Sequence, residues 1–253
     1  MFRSLRVRIA QGRQYIGDLR AASPANFRGL PVIGAAPCAS ACQACADACP
    51  THAFTSLEPL EIDLGRCIQC GDCAPVCPEQ KLTFSTGCHT AAVRREDLLI
   101  SAARPTPPPI AVSAALKKQF GRSLRLRSVS AGGCNGCEAE LNAVGNVNFD
   151  LGRYGIEFVA SPRHADGLVL SGPITHNMAE PLQLCFDAQP RPRFVLAFGA
   201  CAISGGLFAQ APQVERLFLE HNVPVLYVPG CPPHPLTLVV ALMDVLGIAV
   251  GTP

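Results

Sequence analysis

Twelve of the fourteen cysteines in this 253-residue chain fall into three groups of four, and no other feature restricts the fold as tightly. The first group is Cys38, Cys42, Cys45 and Cys49, spaced C-x3-C-x2-C-x3-C-P. The second is Cys67, Cys70, Cys73 and Cys77, spaced C-x2-C-x2-C-x3-C-P. The third is dispersed: Cys134 and Cys137 in GGCNGCE, Cys201 in FGACAISGG and Cys231 in PGCPPHP. A cubane iron–sulfur cluster needs thiolates aimed at its iron corners from backbone curled closely around it. Each group has enough thiols for one such cluster, and three clusters in one chain would make a path for electrons.

Bulk properties narrow the alternatives. The length allows a sizeable core and two domains. A charged fraction of 16% is low, which suits a subunit that covers much of its surface with partners. A net charge of +2 argues for neither a nucleic-acid partner nor a polyanionic substrate, and no nucleic-acid partner is expected. Cysteine-rich disulfide scaffolds are mostly short secreted chains. The opening MFRSLRVRIAQGRQYIGDLR has no apolar signal-peptide core and no twin-arginine pair, Arg94 and Arg95 lying too deep. The expectation is a cytoplasmic setting with the thiols as metal ligands. No stretch reaches the ~18 apolar residues of a membrane span; the nearest, Leu236 to Val250, carries Asp244.

Residues 1–37 form a basic extension, with Arg3, Arg6, Arg8, Arg13, Arg20 and Arg28 against the single acid Asp18. A helix is expected there, resting on anionic lipid or a partner, or else left as a solvated arm. Residues 38–100 contain an internal repeat: each quartet ends in Cys-Pro and precedes a short apolar segment, 53–55 and 82–84. This is the pattern of a small duplicated ferredoxin domain. Residues 101–122, with RPTPPPI at 104–110, read as a proline-rich linker. From 123 to 253 strands and helices alternate, with strands expected at 124–129, 156–160, 167–171, 194–198 and 225–228. Helices are expected at 138–147, 178–188, 213–221 and 236–246. Alternation of this kind makes a parallel sheet. The fold class is therefore α/β: a C-terminal flavodoxin-like parallel-sheet domain preceded by a small α+β domain for two [4Fe–4S] clusters. Cys134, Cys201 and Cys231 each follow an expected strand, and ligands of open α/β sheets gather at the carboxyl ends of strands.

In two-cluster ferredoxins the fourth cysteine of each quartet serves the other cluster. That resemblance implies Cys38, Cys42, Cys45 and Cys77 around one cluster, and Cys67, Cys70, Cys73 and Cys49 around the other. The extra residue between Cys38 and Cys42 departs from the usual spacing. Alone, C-x3-C-x2-C is also the radical-SAM signature, but Cys49-Pro50 and the complete second quartet oppose that reading. The blander alternative is a pair of zinc sites, which usually show two separated C-x2-C pairs. Around the third group, Gly132, Gly133, Gly136, Gly199, Gly205, Gly206 and Gly230 would let backbone approach a bulky cluster.

CNGCEAEL, SPRHADGLVLSGP, FGACAISGGLF and VPVLYVPGCPP resemble the small subunit of membrane-bound, energy-converting [NiFe] hydrogenases of the formate hydrogenlyase type. They are also similar to the homologous cluster-bearing subunit of respiratory complex I, which carries two adjacent cysteines where this chain has Cys134 and Cys137. The front portion resembles the separate two-cluster ferredoxin subunit of the same complexes, as if two subunits were joined. The resemblance implies three [4Fe–4S] clusters, with Cys134, Cys137, Cys201 and Cys231 holding the third. It implies no catalytic residue here, a large subunit carrying the NiFe centre, membrane-arm subunits, an upstream electron donor or acceptor, and a place at the inner membrane. A nickel-free, quinone-linked relative is the alternative function. Glu138 is by default a helix-dipole acid, or under this resemblance a proton relay facing the large subunit. His234 reads as a neighbour of the third group, His52 as a surface residue where related loops often have glycine, and Cys88 and Cys185 as small buried hydrophobes.

Overall fold

The computed structural model describes residues 2–12, 15–121 and 123–248. Arg13 of the basic extension, residue 122 of the proline-rich segment and residues 249–253 lie outside the described residues. The extension opens as helix α1 (Phe2–Gln11), whose Leu5, Val7 and Ile9 stay exposed. Leu5 and Ile9, four residues apart, share one face of the helix, and Val7 lies on the opposite one. Beyond α1 the chain is neither a helix nor a solvated arm. Leu19 is fully buried, and Arg20 donates from Nε and Nη2 to Asp244 Oδ1 at 2.9 and 2.8 Å.

The front half contains β1 (Pro31–Ile33), the short α2 (Ala44–Asp47), β2 (Phe54–Leu57), β3 (Leu60–Asp63), β4 (Leu82–Phe84) and β5 (Leu99–Ser101). β1 pairs antiparallel with β4, so the extension supplies a strand to the cysteine repeat. β2, β3 and β5 form a three-stranded antiparallel sheet. Short strands between proline- and glycine-bearing turns are what an α+β domain this small can accommodate.

The second half runs through α3 (Ala114–Phe120), β6 (Leu124–Ser130), α4 (Gly136–Ala143), β7 (Ile156–Phe158), β8 (Gly167–Ser171), α5 (His176–Asp187), β9 (Phe194–Phe198), α6 (Ala200–Ser204), α7 (Leu217–His221), β10 (Leu226–Val228) and α8 (Pro235–Leu246). Its five strands form one parallel sheet in the order β10-β9-β8-β6-β7. Numbered within the half, that is the flavodoxin-like order, whose direction reverses between β6 and β8. β8, GLVLS, is buried at every position, as a strand covered on both faces requires. α8 is apolar all round and buried at all but one of its residues, Asp244, which Arg20 meets. Among the described residues no helix is long and apolar enough to cross a membrane.

The segment read as a linker carries α3, capped by Ser113 Oγ accepting from the Leu116 N–H at 3.3 Å. Phe120 enters the core with α8. The prolines stop regular structure only up to Pro109, and the following AALKKQF is free to be helical.

Candidate metal centres

The repeat in sequence is also a repeat in backbone. Ala41 before Cys42 and Gln69 before Cys70 are both left-handed, with φ of 56° each. His52 and Gln80, three residues after Cys49 and Cys77, are left-handed too, at 49° and 48°. This is why related loops often carry glycine there. The Ala53 N–H donates to Cys49 Sγ at 3.3 Å, and the Lys81 N–H to Cys77 Sγ at 3.4 Å, in matching positions. The Gln69 N–H adds a bond to Cys67 Sγ at 3.4 Å, and Lys81 Nζ one to Cys38 Sγ at 3.5 Å. The matching features align Cys42 with Cys70, which places the extra residue between Cys38 and Ala41.

Charge interactions reveal which thiols face each other. Burial pushes the Cys45 thiol up, and Cys77 and Cys38 repel its charged form further. Burial likewise drives Cys67 to about 12, with Cys49, Cys73 and Cys70 adding to it. Cys73 is pushed to about 11 by burial, then by Cys70 and Cys49, with a lesser contribution from Cys45 where the two groups adjoin. Cys49 thus lies within charge range of Cys67 and Cys73, and Cys77 within charge range of Cys45.

The third group collects at the carboxyl ends of three strands. Cys134 and Cys137 follow β6, with Cys137 in the first turn of α4; Cys201 follows β9 in α6; Cys231 follows β10. Burial pushes Cys137 to about 12, and Glu138, Cys201, Cys231 and Cys134 add repulsion. Cys201 rises to about 11 through burial, then Cys231 and Cys134. Two glycines set how closely backbone comes. A Cβ on Gly199, whose φ is +92°, would lie 2.7 Å from Cys137 Sγ, and one on Gly206 would lie 2.9 Å from Cys201 Sγ.

Among the described residues, no three His, Cys, Asp or Glu side chains are drawn together tightly enough for a single metal ion. Backbone N–H groups aimed at sulfur beside glycine-lined walls fit a polynuclear iron–sulfur group.

The neighbouring residues divide by contact. Glu138 Oε1 accepts from Ser171 Oγ at 2.6 Å, while Oε2 is buried without a partner. Burial raises Glu138, but bonds from Ser171 and Ser130 outweigh it and hold the carboxyl below its ordinary value. His234 caps α8, its Nδ1 accepting from the Leu236 N–H at 3.1 Å, and its ring packs on Phe27 and Phe149. Sequence reading missed this cap, although His-Pro immediately before an apolar run was the available signal. Asp166 accepts from the Arg125 N–H at 2.7 Å, fixing the start of β6. Cys88 is buried, with its thiol raised to about 11 by burial alone; Cys185 is half-buried beside the core.

Residues 134–245 match the family described as NADH ubiquinone oxidoreductase, 20 Kd subunit, and residues 60–82 match a 4Fe-4S binding domain. Over 123 residues the chain is 41% identical to the probable membrane-bound hydrogenase subunit mbhJ of Pyrococcus furiosus, covering 48% of this chain and 73% of that protein. It is 39% identical over 138 residues to formate hydrogenlyase subunit 7 of Escherichia coli, covering 54% of each. It is 43% identical over 109 residues to a subunit of the NADH-quinone oxidoreductase of Saccharopolyspora erythraea, covering 42% of this chain and 49% of that protein. The chain thus spans only about half the length of the last two.

Proposed function

This chain belongs to the NADH ubiquinone oxidoreductase 20 Kd subunit family, and we propose that within it the chain is the electron-transfer subunit of a cytoplasm-facing, membrane-associated [NiFe] hydrogenase. In this reading it has no catalytic residue of its own. The catalytic large subunit, membrane-arm subunits and an upstream electron donor or acceptor are its partners, and it is peripheral to the inner membrane.

The observation that carries the reading is the meeting of Cys134, Cys137, Cys201 and Cys231 at the carboxyl ends of β6, β9 and β10. They would hold one [4Fe–4S] cluster. Cys38, Cys42, Cys45 and Cys77 would hold a second, and Cys67, Cys70, Cys73 and Cys49 a third; the electrostatic pairing of Cys45 with Cys77 and of Cys67 with Cys49 supports that exchange. Bound clusters of this kind supply one-electron oxidation and reduction without proton chemistry. The protein's own part is to bind and to tune. N–H groups of Ala53, Gln69 and Lys81 stabilise negative charge on sulfur. The Lys81 ammonium does the same at Cys38. Burial keeps the free thiols protonated, so loading releases protons to solvent.

Anaerobic co-purification with partners, followed by iron, sulfide, nickel and zinc analysis and a hydrogen-evolution assay, tests the reading. About twelve irons per chain, nickel in the partner and hydrogen evolution are expected. Similarity to the NADH-quinone oxidoreductase subunit favours one second reading, a nickel-free quinone-linked complex. An intact complex without nickel establishes that one and defeats the hydrogenase; zinc with little iron defeats both.

A further inference from the structure

Away from the thiols, the seam between the cysteine repeat and the parallel sheet holds a polar cavity of about 350 Å3. Arg66 and Arg95 line it from the repeat and Arg216 from the turn before α7, and no carboxylate lines it. Behind these arginines, buried Asp63 accepts from Arg95 through Nη1–Oδ1 at 2.8 Å and Nη2–Oδ2 at 2.5 Å. The same carboxylate lies 3.5 Å from Arg66 Nε. Arg216 has no ion pair among the described residues: its Nη1 and Nη2 donate to the carbonyls of Ala202 and Ile203 at 3.2 and 2.5 Å. Burial, then the charge of Arg95, pushes Arg216 down, and Glu220 and Tyr227 oppose this only from a distance. Three guanidinium groups line the cavity, and among the described residues only Asp63 pairs with any of them while Glu220 acts on Arg216 from further off, so the lining keeps a positive surplus.

A half-buried guanidinium beside a like charge is costly unless an anion accompanies it, and arginine forks match oxyanion geometry. The volume lies at the small end of ligand sites, which begin near ~300 Å3. We propose that this cavity binds a small, multiply charged oxyanion of the phosphate or sulfate class. Pro50 and Thr51, just after Cys49, and Gly206, against Cys201, also line it. A bound anion therefore sits between Cys49 and the third cysteine group.

Calorimetric titration of the full-length, cluster-loaded protein with inorganic phosphate and with sulfate tests this, at constant ionic strength maintained with chloride. Saturable one-to-one binding is expected. Arg66→Gln, whose guanidinium is half exposed and weakly paired, should weaken it by about tenfold while keeping wild-type iron content and melting temperature. Arg216→Gln should abolish it, Arg216→Lys should retain part of it, and Arg125→Gln, on an exposed pair with Glu157, should leave it unchanged. If Arg216→Gln fails to fold, Arg66→Gln decides alone. Heats no larger than those of chloride, or saturable binding that survives Arg66→Gln undiminished, would overturn the assignment.

Discussion

Gly199 and His234 are single residues whose effects are of two different kinds. Gly199 combines a left-handed backbone with a Cβ position only 2.7 Å from Cys137 Sγ. An alanine there must displace either the sulfur or the β9–α6 turn. With three clusters bound as proposed, Gly199→Ala should therefore lose iron from the third group alone, about four of twelve irons, with the signals of the other two intact in electron paramagnetic resonance. Uniform loss from all three groups would mean general misfolding instead. His234 acts through a proton. Burial lowers its pKa from the ordinary value of 6.5, and only the neutral ring offers Nδ1 to the Leu236 N–H. A base whose folded pKa is depressed contributes stability above its unfolded pKa and loses it as pH falls through the folded value. Denaturant melts should thus show wild-type stability declining below about pH 6.5. His234→Asn keeps a capping acceptor but carries no titrating proton, so its decline over the same interval should be shallower. Identical slopes in the two proteins would exclude His234 as the source.

Secondary-structure elements differ in how much of themselves they display in sequence. The five parallel strands were legible from apolar, branched residues bounded by turn formers, continuous in β8 and β9 and alternating with polar ones in β6 and β7. The placing of Cys134, Cys201 and Cys231 after strands followed directly. β1 and β5 were not legible: each has three residues and exists because a partner distant in sequence supplies its hydrogen bonds. α3 was hidden by the prolines before it. Left-handed positions such as His52 and Gln80 carry ordinary side chains, so only the repeat hinted at them. The extension shows what this costs a reading by composition. Its arginines suggested one basic arm, yet α1 is exposed while Leu19, Arg20 and β1 are built into the fold. Removing residues 1–10 should leave melting temperature and iron content unchanged. Removing residues 1–34 strips β4 of its partner, leaves Asp244 unpaired and opens the site of Leu19, a buried leucine worth about 2–5 kcal/mol. That protein should lose iron from the repeat and melt at least several degrees lower by calorimetry.

At the scale of the whole molecule, two regions that resemble separate subunits share one core. Leu60, Ile62, Leu98 and Ile100 from the repeat pack in the same cluster as Leu168, Leu170, Val195 and Ala197 from the sheet. Ala92 and Tyr227 exchange backbone hydrogen bonds across the seam, at 3.0 and 2.8 Å. Burying large aliphatic side chains contributes about 1.5–3 kcal/mol each, so the leucines, isoleucines and valine of this cluster outweigh much of the ~4–15 kcal/mol cost of bringing two bodies together. The covalent connection through the prolines at 104–110 is then not what holds the halves in place. Residues 1–103 and 104–253, co-expressed as two chains, should elute together in gel filtration and carry as much iron as the intact protein. Expressed singly, each should aggregate, since it would expose its share of the common core to water. If the two elute apart and soluble, the regions are independent domains, and the cavity lined by Arg66 and Arg216 cannot be a rigid site.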